Sequence, residues 1–254
     1  MVNNLPTVTA SRPYPDRVVM RTAAILFGIE GLLLFVPLGV LGTAIGWPAS
    51  LEDPASVALP RLLEKEPIVR FGYLVYLAYS VLFLPVAVWT TRALTNGARS
   101  PLGSAAIGFA IASTLARTIG ILRWLTVMPE LARAYPNAPD QIALLYQALN
   151  SYGGSIGELL GVSLFAVGWL GCTMVLAWRT GVVPLWLVVA GGIATVALAL
   201  PLVELAGVDP GPLTSVGTTA LQLWFLAAAF VLIRVVAGGG SALSASPAKQ
   251  ATHA

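Results

Sequence analysis

The chain has 254 residues, 57% of them hydrophobic and only 10% charged, with a mean hydropathy of +0.83. Water-soluble domains carry about 25% charged residues, so this composition excludes a protein that faces water on most sides. A net charge of +3, with no basic water-facing domain to carry it, also excludes a nucleic-acid partner.

Residues 1–19 hold Pro6, Pro13 and Pro15 and no apolar core, which reads as an N-terminal cytoplasmic segment and not as a cleavable signal. Six apolar runs follow: Met20–Gly46, Ile68–Leu94, Gly103–Met128, Ser151–Trp178, Val183–Ala206 and Thr214–Ala237. Each reaches the roughly 20 residues that a helix needs to cross the hydrocarbon layer. A long unbroken run must satisfy its backbone hydrogen bonds internally, so all six are predicted as helices; the ten-residue alternation of barrel strands is absent. The predicted fold is all-α, a polytopic membrane protein whose residues 20–237 form one six-transmembrane-helix bundle. The tail 238–254, GGGSALSASPAKQATHA, is small and polar and is predicted to be disordered and cytoplasmic. Cys172 is the sole cysteine, so a packed thiol is expected and an internal disulfide is ruled out.

Two connections exceed the length of a simple turn: Trp47–Pro67 and Pro129–Asn150. In the second, Ile142, Leu145, Tyr146 and Leu149 have the spacing of a short amphipathic helix lying on the membrane surface. Both are read as helical connectors at the outer interface, with a lid over an outward-facing pocket as the sharper alternative.

Orientation follows from the basic residues. With six spans, one face holds Arg12, Arg17, Arg21, Arg92, Arg99, Arg179, Arg234 and Lys249 against Asp16 alone. The other holds Glu52, Asp53, Glu64, Glu66, Glu130, Asp140, Glu204 and Asp209 against Arg61, Lys65, Arg70 and Arg133. Both termini are therefore expected in the cytoplasm. Twelve arginines against two lysines, with abundant Ala, Gly and Val, suggest a GC-rich bacterium and hence its cytoplasmic membrane.

Four charges fall more than three residues from either end of a span. Glu30 lies about 15 Å from the start of the first run, at 1.5 Å per residue, and Arg117 of the third run reaches a similar depth. Arg123 is near enough to the outer end to snorkel, and Glu158 enters the fourth run between those depths. A charge at the bilayer centre costs from roughly 3 to more than 10 kcal/mol, so pairing is expected: Glu30 with Arg117, and Glu158 with Arg117 or Arg123. Packing is expected to help. Ser104, Gly108, Ala112, Ala116 and Gly120 repeat every four residues on the third run, as do Gly153, Gly157 and Gly161 on the fourth, a pattern that lets backbones approach closely. Arg117 shares its helical face with Ser113, Gly120 and Trp124. The second run adds Arg70, Tyr73, Tyr76, Tyr79 and Ser80, whose polar groups extend a network toward the outer side. Arg117, Glu30, Glu158, Arg123, Tyr73 and Tyr76 are the predicted ligand-binding residues; a purely structural locking of helices is the competing reading.

Several chemistries are excluded. The only histidine is His253, and Lys65 and Lys249 lie outside the spans, so histidine metal or haem sites and a retinal-type Schiff base have no residues to use. No HExxH or GxxxxGK[ST] occurs, and no span contains Asp. Catalysis would have to run on Glu30 and Glu158 alone. No cofactor, metal or catalytic residue is assigned.

The segments RTAAILFGIEGLLLF, RTIGILRW, LNSYGGSIGELLGVSLF and TGVVPLWLVVAGG resemble a bacterial family of six-span proteins known as domain of unknown function 4386. The resemblance spans roughly residues 20–236; it implies a six-helix membrane protein and carries over no activity. The functional expectation is binding of a lipid or small molecule through the Glu/Arg cluster, or service as a membrane subunit beside a protein partner or a second copy. A secondary transporter or channel-like protein for a small solute is the alternative. Glu30 and Glu158 fall in the first helix of each half, but the sequence offers no clearly broken pair of helices.

The charge bias predicts that a reporter fused after Lys249 reads cytoplasmic and one inserted near Asp140 reads external. Reporters on the same side would mean that the span count is wrong by an odd number.

Overall fold

The structure, a computed structural model, describes residues 16–243 apart from 210 and 212. Its helices are α1 (Arg17–Leu33), α2 (Phe35–Ile45), α3 (Ala55–Glu64), α4 (Glu66–Thr95), α5 (Pro101–Leu125), α6 (Val127–Ala134), α7 (Pro139–Gly154), α8 (Ala166–Thr180), α9 (Leu185–Ala199) and α10 (Leu213–Leu243). A π-helical segment, Ser155–Phe165, joins α7 to α8. No strand occurs among the described residues. Six helical stretches are long and apolar enough to cross a membrane, and they match the predicted runs: Arg17–Ile45, Glu66–Thr95, Pro101–Asn137, Pro139–Thr180, Leu185–Ala206 and Ser215–Gly238. The protein is a six-helix membrane bundle. The sixth helix runs past Gly238 to Leu243, into the stretch expected to be tail. Residues 1–15 and 244–254, read as terminal segments, lie outside the described residues.

Two spans are irregular where the sequence suggested continuity. The first breaks at Leu34, between α1 and α2. Pro37 sits in the first turn of α2, where its missing N–H is tolerated, but that N–H cannot serve the carbonyl four residues back. The fourth span widens into the π-helix, a form that usually marks a close approach or a functional position.

Each span packs against its neighbours in chain order, and the sixth closes on the first. This ring decides the internal symmetry. Spans one and four run in opposite directions, so relating the two halves requires a two-fold axis in the membrane plane. Such an axis reverses the sense of circulation seen from one face, whereas moving every span three places along the ring preserves it. The halves are therefore not an inverted repeat.

Two apolar cores fill the ring. Toward the basic face, Phe27, Phe83, Trp169, Trp224 and Phe225 interlock, with Phe83 and Trp169 edge to face at 4.7 Å. Toward the acidic face, Leu41, Val69, Tyr73, Trp124 and Met128 pack beneath Leu59, Leu62 and Tyr146 of the connectors. Those connectors are helical, as predicted, and tied to each other and to the spans. Arg61 pairs with Asp53 at 2.9 Å and donates to Ile45 O at 3.0 Å, while Lys65 donates to Ala44 O at 3.1 Å. Both cations thus serve the open C-terminal carbonyls of α2. Arg133 joins Glu66 and Glu130, each at 2.7 Å, Asn150 donates to Leu51 O at 2.8 Å, and Tyr146 OH donates to Asp53 O at 3.3 Å. The second connector is not a separate surface helix: α7 runs directly into the fourth span, because Tyr146 anchors it on the core.

The small-residue stripes behave unequally. A Cβ on Gly120 would stand 2.7 Å from Gly157 Cα, so the third and fourth spans touch backbone to backbone there. Ser104 and Gly108 are exposed instead, and a Cβ on Gly108 would meet nothing within 4 Å. Gly120→Leu is expected to lower the melting temperature in detergent sharply, at a cost of about 1–3 kcal/mol or more, whereas Gly108→Leu stays within about 0.5 kcal/mol of wild type. Equal shifts would contradict the crossing point.

Candidate functional site

Between the two cores lies a layer of buried polar side chains at mid-bundle: Glu30 on α1, Tyr79 and Ser80 on α4, Ser113 and Arg117 on α5, Ser163 on the π-segment and Gln222 on α10. Glu30 has 0% and Arg117 5% of its surface exposed. Every span except the fifth contributes. The layer exists because Ser113, Arg117, Gly120 and Trp124 share one inward face, as their spacing predicted.

Glycines make the room. A Cβ on Gly161 would meet Arg117 Cγ at 2.7 Å and Arg117 N at 2.9 Å. Ser113 Oγ donates to Gly161 O at 2.7 Å across the same seam. One turn outward comes the Gly120–Gly157 crossing, and beyond it Arg123 lies along Gly153, where a Cβ would meet Arg123 Cδ at 2.7 Å. The stripe Gly153, Gly157, Gly161 is therefore the bed on which both arginines rest.

The expected ion pairs do not form. No ion pair within 4 Å joins Glu30 or Glu158 to Arg117 or Arg123, while Arg61, Arg70 and Arg133 pair with Asp53, Glu66 and Glu130 at the connectors of the acidic face. The Arg117 guanidinium turns onto two aromatic faces, 4.8 Å from the Tyr79 ring centre and 5.2 Å from that of Phe83. It stays within electrostatic range of Glu30 and Tyr76. Both carboxylate oxygens of Glu30 and Arg117 Nε are buried without a hydrogen-bond partner. The guanidinium lies against ring faces on α4, and no nitrogen of it comes within 4 Å of the Glu30 carboxylate on α1.

Glu158 also departs from expectation, since it is exposed on the bundle surface and not buried. Its electrostatic neighbours are Arg123, Glu204 and Glu52, with Arg117 not among them. Arg123 is half-buried, with its guanidinium 5.7 Å from the Trp124 ring centre and Nε unpartnered. Tyr73 is buried and stacks on Trp124 at 5.3 Å, its hydroxyl without a partner. Tyr76 stacks on Tyr79 at 5.9 Å and feels both arginines and Glu158. Tyr76 thus bridges the deep group (Glu30, Arg117, Tyr79) to the outer one (Arg123, Glu158, Tyr73). Arg70 stays outside, on the surface with Glu66 at 3.2 Å. Under the connectors, Ser50, Asp53, Arg61 and Trp124 line a cavity of about 10 Å³, room for about one water.

The tertiary structure adds Gln222 and brings Tyr79 of the second-span network onto it. At the break in the first span the Leu34 N–H turns to Leu32 O, away from the Glu30 carbonyl that an unbroken helix would offer it. Gln222 Nε2 replaces that donor, reaching Glu30 O at 3.2 Å and also Gly31 O. Its Oε1 accepts from Tyr79 OH at 3.4 Å. The available signal was an amide deep in an apolar span, which is costly unless it has partners.

A family model described as Domain of unknown function (DUF4386) matches residues 26–239, which include every polar residue of the layer. The chain belongs to the DUF4386 family. No curated protein and no solved structure matches this DUF4386 protein.

Gln222→Leu removes two donors from backbone carbonyls in a dry environment, and hydrogen bonds between membrane helices average about 0.6 kcal/mol with maxima near 1.7. Its melting temperature in detergent is expected to fall more than that of Tyr79→Phe, which loses one long bond. A larger effect of Tyr79→Phe would overturn the role given to the amide.

Proposed function

We propose that this DUF4386 protein binds a lipid or a small polar molecule through the layer centred on Arg117, with Glu30, Tyr76 and Tyr79 around it and Arg123, Glu158 and Tyr73 leading outward. The observation that carries this reading is that the charges within the spans are gathered but unpaired. A buried pair recovers its desolvation cost only in contact and with its remaining donors and acceptors filled. Each ring face gives a desolvated cation about 2 kcal/mol or more, against roughly 3 to more than 10 kcal/mol for a charge at the membrane centre. A group that ligates Arg117 would close that gap. The half-exposed Arg123 favours the acidic face as the side of access, and by the charge bias that face is extracytoplasmic in a bacterial cytoplasmic membrane.

Service as a membrane subunit draws on the same charges. Secondary transport of a small solute is the second reading, favoured by the irregularities of spans one and four beside Glu30 and Glu158. The ring order argues against the inverted-repeat design on which many transporters rest.

Native mass spectrometry of wild type, Arg117→Leu and the double variant Glu30→Leu with Arg117→Leu, alongside melting curves, tests the reading. Wild type is expected to carry a co-purifying species that the double variant lacks, while the double variant, free of buried charge, regains stability lost in the single. A species retained by a stable double variant, or none in wild type, sinks the assignment.

A further inference from the structure

The outer group sets two opposite charges side by side on the fourth span. Arg123, in the last turn of α5, lays its guanidinium over Gly154, where a Cβ would stand 3.4 Å from Arg123 Nη2. Glu158 follows four residues later, and side chains at that spacing share a helix face about 5–6 Å apart. The π-helical segment begins between them, at Ser155. The two charges are within electrostatic range of each other, yet no ion pair within 4 Å joins them. Arg123 Nε is left without a partner. Glu158 is exposed and Arg123 half-buried, so both are open to the surroundings of the bundle.

Their depth is that of lipid headgroups. From Glu158 to Trp178 the fourth span measures about 30 Å at 1.5 Å per residue, which is the thickness of the hydrocarbon layer. Trp178 is exposed at the basic end and Tyr152 is exposed just beyond Glu158, as aromatic side chains are at the two membrane interfaces. Glu52 and Glu204 are exposed as well, and both are electrostatic neighbours of Glu158. The surface therefore presents one guanidinium among three carboxylates. The carboxylates repel a purely anionic head, and Arg123 repels a purely cationic one.

We infer that Arg123 and Glu158 together seat a phosphoethanolamine head, its phosphate on the guanidinium and its ammonium on the carboxylate. The guanidinium fork matches phosphate oxygens, and a primary ammonium brings three donors to a carboxylate. A lipid of the adjoining leaflet needs no cavity to present this head, because both charges face it from the bundle surface. The inference deepens the proposed function at its outer group and rests on that reading for the acidic face as the side of access; it requires no ligand at Arg117.

The test is native mass spectrometry of the purified, delipidated full chain titrated with phosphatidylethanolamine, phosphatidylglycerol or phosphatidylcholine. Wild type is expected to bind phosphatidylethanolamine about fivefold more tightly than either of the others, the worth of one charge contact at a membrane surface. Glu158→Gln, of matching shape and at an exposed position, should abolish that preference, and Arg123→Gln should weaken binding of all three phosphates. A folded Arg117→Leu variant should keep the preference even where it loses the co-purifying species, which separates this site from the deeper one. Displacement of the lipid by soluble phosphoethanolamine assigns a free solute with the same head; no displacement assigns the lipid. Equal binding of the three lipids by wild type overturns the inference, as does a preference that survives Glu158→Gln or one that folded Arg117→Leu loses.

Discussion

The third and fourth spans touch through glycine, and the candidate site depends on that contact. Where Gly120 meets Gly157, no side chain separates the backbones. Gly161 and Gly153, one turn to either side, leave spaces that Arg117 and Arg123 occupy. Larger residues in this stripe would push the helices apart and turn both arginines toward lipid, where their cost is greatest. Association of helices in a bilayer relies on such van der Waals contact, because lipid supplies no hydrophobic drive between spans. The seam is thus a packing device whose by-product is a place for charge.

The cores on either side keep the polar layer dry. Toward the basic face the interlocked aromatics close the ring, and toward the acidic face the fastened connectors cover Tyr73 and Trp124. Low polarity strengthens every interaction in the layer and raises the cost of each unpartnered atom. That tension shows at the break in the first span, where one amide, Gln222, serves the carbonyls of Glu30 and Gly31 while the carboxylate of Glu30 is left without a donor. Backbone groups are satisfied and side-chain charges are not.

Irregular backbone occurs where the polar groups are. The first span breaks four residues after Glu30, and the fourth is π-helical through Glu158, Gly161 and Ser163. In a membrane such departures survive only where neighbouring protein replaces the lost hydrogen bonds. Gln222 does so for the first span, and Ser113 engages the Gly161 carbonyl in the fourth.

Much of the architecture was legible in the sequence. Composition and run length determine six spans, because a bilayer of set thickness demands about 20 apolar residues for each crossing. Helical spacing determined that Ser113, Arg117, Gly120 and Trp124 share a face, and the glycine stripe of the fourth span marked the seam. What pairs with what was decided in three dimensions. Arg117 chose the rings of Tyr79 and Phe83 over the carboxylate of Glu30, and Glu158 turned to the bundle surface beside Arg123. Such choices depend on the rotation and separation of whole helices around the ring, which periodicity along one helix does not encode. The break at Leu34 and the closure of the sixth span on the first belong to the same class: they arise from contacts between residues far apart in the chain, and only packing brings those residues together.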